Sequence, residues 1–158
     1  MNVPLTPAQR TLYSFVGDYH RRLLARIAPG VDSWELMAEV REEMAPIIEQ
    51  TAWVAPHHRT AACGALEFTG HLSHPVGMAV HDVGDYRSRP LEPGVVMAID
   101  PMIWIPEERQ YVRCEDTVVV TADGCEVLTS AAPLDCDEIE AAMGEHGMLD
   151  RHTVAILT

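Results

Sequence analysis

The hydrophobic pattern of this 158-residue chain shifts from a helical to a strand period before its midpoint, and that shift restricts its fold more than any other feature. Leu12, Phe15, Val16, Tyr19, Leu23 and Ile27 recur every three or four residues after Thr6-Pro7, a helix-start signal, and the pattern stops at Pro29-Gly30. A second helix is predicted from Asp32 or Ser33, with Leu36, Val40 and Met44 on one face and Pro46 bending or restarting it. From about Glu67 the apolar residues form short β-rich runs between turn residues: VVMAI at 95–99, MIWI at 102–105 and TVVVT at 117–121. Asp123-Gly124 then closes a tight hairpin onto CEVLT, and CDEIEAAM, 136–143, reads as a last short helix. Helices on one face of a mainly antiparallel sheet give an α+β class, and the length suits a single domain over residues 1–158.

Charge and cysteine placement remove several classes of function. The net charge is −13 and the eleven basic residues are all arginine, so a polyanion is repelled and no nucleic-acid partner is expected. No apolar run approaches the roughly 18 residues of a membrane span, and no membrane partner is expected. Cys63, Cys114, Cys125 and Cys136 are too scattered for a zinc knuckle or a disulfide framework and read as reduced, partly buried thiols. MNVPLTPAQR has neither the basic segment nor the apolar block of a secretory signal, which makes the cytoplasm the expected compartment.

Few residues offer chemistry. His57, His58 and His71 lie in loop-like sequence and read as exposed. His74 and His81 sit in a Gly/Pro-containing segment, Asp100 ends an apolar strand just before Pro101, and Glu115 interrupts the strand-like YVRCEDTVVV. Both acids fall where apolar burial is expected, and burying an ionised carboxylate costs several kcal/mol unless a cation compensates it. Spacing alone leaves two readings level. Arg113 can pair with Glu115 while Asp100 caps a turn, or one imidazole and two carboxylates can hold Mn, Co, Fe or Zn.

SHPVGMAVHDVG, LEPGVVMAIDPMIWI and YVRCEDTVVVTADGCEVLT, in that order, resemble the C-terminal part of the pita-bread metallopeptidases, the family of aminopeptidase P, proline dipeptidase and methionine aminopeptidase. LTPAQRTLYSFVGDYHRRLLARIAPGVDSWEL resembles the helix pair that precedes the histidine segment in that family. The resemblance implies a creatinase/aminopeptidase fold, a curved antiparallel sheet with helices on one face. By position it makes His74 a metal ligand, His81 the histidine that contacts substrate, Asp100 the stand-in for a glutamate ligand, Glu115 the metal-bridging glutamate and Arg113 a supporting basic residue. In the family a metal pair activates a bridging water against the peptide carbonyl. GHLSH and VHDVG are closer to the proline-peptide branch, although the first Gly and His are transposed relative to the HGLSH of aminopeptidase P.

The family's two further metal-ligating aspartates precede the first helix, and the sequence begins at Met1 just before that helix. The expectation is therefore a truncated pita-bread domain holding at most one weakly bound divalent ion, Mn, Co, Zn or Fe. The expected function is that of an Xaa-Pro dipeptidase or aminopeptidase P-like protein, impaired or inactive as this chain, with a proline-containing peptide as substrate. The alternative is a non-catalytic relative serving as a binding module or having no activity. A homodimer is expected, because strands missing from the sheet would leave an unpaired edge.

Overall fold

The computed structural model describes residues 4–145. Helix α1 spans Pro7–Arg26. Its start is a capping box: the Thr6 hydroxyl accepts from the Gln9 amide at 3.2 Å, and the Gln9 side chain accepts from the Thr6 amide at 2.9 Å, with Pro7 in the first turn. After α1 the chain turns at Gly30, whose φ of +84° is open to glycine at little cost. Helix α2 spans Ser33–Gln50, and Asp32 Oδ1 accepts from the amides of Trp34 and Glu35. It runs through Pro46 without a break. The missing N–H strands the carbonyl of Glu42, but Pro46 and Glu42 are both exposed, so water can take the bond.

A third helix, α3, Pro56–Glu67, occupies the stretch read as loop-like, so His57 and His58 are helical and His58 is buried. Ala55 at its N-cap makes no side-chain bond, and its buried face is as small as His58 and Ala62.

Among the described residues six strands follow: β1 Ser73–Pro75, β2 Val96–Ile99, β3 Met102–Ile105, β4 Gln110–Arg113, β5 Asp116–Val120 and β6 Cys125–Val127, with α4 at Cys136–Gly144. All pairs are antiparallel. They form two sheets instead of one: four strands in the order β1-β2-β5-β6, and the two-stranded β3-β4. The α+β class holds, with α1 packed against β2, β3 and β4, α3 against β3, and α2 against both helices. Leu12, Val16 and Leu23 of α1, Val40 and Met44 of α2 and Ile103, Ile105 and Val118 of the sheets meet in one fully buried core. At about 1.5–3 kcal/mol per buried aliphatic side chain, that core is what holds the sheets against the helices. His20 of α1 is buried within it, 3.5 Å from Asp116 of β5, and all four cysteines are free.

Candidate metal centre

The run YVRCEDTVVV is not one strand. Strands β2 and β3 are separated by Asp100 and Pro101, and β4 and β5 by Cys114 and Glu115, so one long antiparallel ribbon bends from the first sheet into the second. The register is the same on both sides of the bend, Ile99 facing Asp116 and Met102 facing Arg113, which sets Asp100 opposite Glu115. His74 pairs with Ala98 on the neighbouring strand. Alternation along β2 puts Ala98 and Asp100 on one face, so His74 is brought to the same side as the acids.

Strand β1 and the loop after it supply the imidazoles. His74 Nε2 lies 3.3 Å from Glu115 Oε1, and the His74 and His81 rings meet edge to face with centroids 4.4 Å apart. The loop is folded around Asp82, which accepts from the amides of Ala79 and Val83; a Cβ on Gly77 would lie 2.1 Å from its Oδ2. That close approach needs glycine, and it carries exposed His81 back over His74.

Arg113 ends β4 and points its guanidinium at both acids, with Nη1 2.9 Å from Glu115 Oε2 and 3.8 Å from Asp100 Oδ2. Tyr111 holds the same guanidinium from the other side, its hydroxyl accepting from Nε at 2.9 Å and Nη2 at 2.7 Å. Tyr111 was not legible as a site residue, because its distance from the acids is set by the bend. Burial pushes the Asp100 carboxyl above its usual range even though Arg113 and His74 pull the other way. Glu115 is more exposed than its sequence context predicts; burial acts upward on it too, but its bonds to Arg113 and His74 outweigh that and lower it.

His74, His81, Asp100, His71 and Arg87 line an open cleft of about 630 Å³. His71 is tied back into the protein: its Nε2 meets Ser33 Oγ at 3.0 Å, its Nδ1 meets Ser73 Oγ at 2.7 Å, and burial lowers its pKa to about 4.

The donor set fits a cation. The Pro75 carbonyl accepts from His74 Nδ1 at 3.1 Å, which holds a ring proton on Nδ1 and leaves Nε2 as the nitrogen that faces Glu115. Two acceptors at 3.3 Å repel one another unless a cation or a second ring proton lies between them. His74, Asp100 and Glu115 do not, however, draw all their ligand atoms within 4.8 Å; among the described residues the cluster that does is His57, His58 and Glu108.

A model of metallopeptidase family M24 matches residues 2–122. The Xaa-Pro aminopeptidase of Escherichia coli K12 is 34% identical over 157 residues, covering 90% of this chain and 36% of its own length. A zinc-substituted E. coli aminopeptidase P in complex with product superposes with a TM-score of 0.71 at 32% identity, covering 89% of this chain and 35% of that one. Proline aminopeptidase P II from Yersinia pestis superposes with a TM-score of 0.70 at 34% identity, covering 87% and 35%. This chain thus spans about a third of the length of the relatives it matches. It has the pita-bread fold of the aminopeptidase P structures. On sequence and structure together, the chain belongs to metallopeptidase family M24.

Proposed function

We propose that the chain is an aminopeptidase P-like protein in which His74, Asp100 and Glu115 hold one divalent cation, Mn, Co, Zn or Fe, beside a cleft for an Xaa-Pro peptide. The close approach of His74 Nε2 and Glu115 Oε1, 3.3 Å apart, supports this reading most directly. A divalent ion there would polarise a carbonyl and lower the pKa of a bound water. The chain's own residues do the rest. His81, exposed over His74, is placed to hydrogen-bond the peptide; Arg113 offsets part of the charge of both carboxylates; and the cleft volume suits a small peptide.

One imidazole and two carboxylates with an arginine between them suit one ion better than two, so hydrolysis by these 158 residues is proposed to be far slower than that of a two-metal hydrolase. A second reading, a non-catalytic peptide-binding module, is favoured by the same arginine, which already compensates the acids without any metal. An Xaa-Pro dipeptide assay with added Mn²⁺, run beside a peptide-binding titration, separates the two. Slow turnover lost in His81→Ala and in Glu115→Ala supports the peptidase; binding without turnover supports the module; neither binding nor turnover removes both.

A further inference from the structure

A second group of metal-capable side chains lies away from the acids at the bend. Glu108 ends the 3-10 turn Pro106–Glu108 between β3 and β4, and its Oε1 lies 2.6 Å from His57 Nε2 and 2.7 Å from His58 Nε2, at the first turn of α3. We propose that His57, His58 and Glu108 form a binding site for Zn²⁺, or a similar borderline divalent ion, that clips the start of α3 to the tip of the β3-β4 hairpin. This site is independent of any ion at His74.

Two imidazoles and one carboxylate are a zinc ligand set, and three protein ligands leave a position for water. Their ligand atoms lie within 4.8 Å of one another, while zinc-to-nitrogen and zinc-to-oxygen bonds are each about 2.0–2.2 Å, so small rotations would bring all three into range. The backbone supports this convergence from both sides. Pro56 starts α3, and Arg109, immediately after Glu108, is in the left-handed region at φ 50°, which turns the chain sharply and leaves the Glu108 carboxylate over the helix end. His58 is buried and fixed, whereas His57 and Glu108 are each about a third exposed and give an ion access from solvent.

Two features limit the affinity. Metal binding at Nε2 moves the His58 proton to Nδ1, a buried atom without a hydrogen-bond partner among the described residues. Lack of such an outer partner typically weakens a metal site about 10–100-fold. The positive end of α3 also opposes a cation, and the Glu108 carboxylate offsets it.

Zinc calorimetry on the full chain carrying His74→Gln tests the proposal, since that background removes the other imidazole site. One Zn²⁺ per chain is expected, weakened about 100-fold or more by His57→Gln or by Glu108→Gln, more than loss of an outer-shell partner costs. No zinc binding in the His74→Gln chain, or affinity unchanged by either further substitution, overturns it and leaves a carboxylate that bridges two imidazoles by hydrogen bonds alone. Should the variants lose their fold, carbethoxylation of the unsubstituted chain decides: Zn²⁺ is expected to protect His57, and equal labelling with and without Zn²⁺ overturns the site.

Discussion

Arg113 reaches across the bend of the ribbon to Glu115, its Nη1 2.9 Å from Oε2, and so stands in the place where a cation would balance the two acids. Arginine and metal therefore compete for the same negative charge. Two positive groups about 4 Å apart repel by several kcal/mol at an effective dielectric near 20, before solvent screens the half-exposed pair. Arg113→Gln is expected to tighten Mn²⁺ binding about tenfold in calorimetry. Weaker binding would show instead that the guanidinium organises the ligands.

Metal stoichiometry gives a second prediction. His74, Asp100 and Glu115 should retain no more than one Mn²⁺ or Co²⁺ per chain, and His74→Ala or Glu115→Ala should lower its affinity about 100-fold or more, beyond the loss of an outer-shell partner. Metal analysis after dialysis, performed on Glu108→Gln protein, confines the count to this site. Two tightly held ions would contradict it.

Stability should fall in mild acid through His71. Burial, helped by the nearby Arg87 charge, lowers its pKa from 6.5 to about 4, so the unfolded chain takes up a proton before the folded one does. Where the unfolded state binds more protons, stability declines with falling pH; the loss begins near pH 6.5 and levels off below about pH 4. Its full size is at most about 3 kcal/mol, because solvent screens the partly exposed ring. Burial lowers the pKa of His20 as well and adds a slope of the same sign, so the His71→Gln variant is the reference. Urea unfolding of both proteins between pH 7.5 and 4 measures the difference, and parallel curves would refute it.

Self-association is expected through the free side of β1. Among the described residues β1 pairs with β2 alone, and Met78 and Val83 in the adjoining loop are fully or almost fully exposed. An open strand edge beside apolar side chains is a template for a second copy, and a two-fold dimer closes it. With a net charge of −13 the two copies repel, so dimerisation should weaken at low salt, where screening extends well beyond the roughly 8 Å of physiological buffer. Light scattering coupled to size exclusion tests this. A 17.5 kDa monomer at high concentration that binds no apolar dye would be incompatible with it.

The sequence revealed the parts whose signals are local. Thr6, Pro7 and Gln9 cap α1 from within four residues, Asp32 does the same for α2, and Asp123-Gly124 turns β5 into β6. Helix α3 had no such signal: Ala55 does not cap it, no acidic residue occupies its first turn, and two of its buried contacts come from a histidine and an alanine. Likewise, Asp100, Arg113 and Glu115 could be picked out one at a time, but their mutual facing depends on a register that continues through a bend. Nothing within either segment encodes that relation. Glu108 meets His57 and His58 across about fifty residues, and only the packing of α3 on β3 brings them together.

The matched four-residue arms of the β3-β4 hairpin make this part of the chain unevenly tolerant of insertions and deletions. A residue gained at the hairpin tip lengthens a surface turn, at a cost that grows slowly with loop length, and leaves Asp100 and Glu115 opposed. A residue gained or lost within one arm shifts that arm by a single position, and in a pleated ribbon a one-residue shift turns every side chain beyond it to the opposite face. Homologous chains that keep both acids should therefore vary in length at positions 106–109 and hold constant length on either side of them.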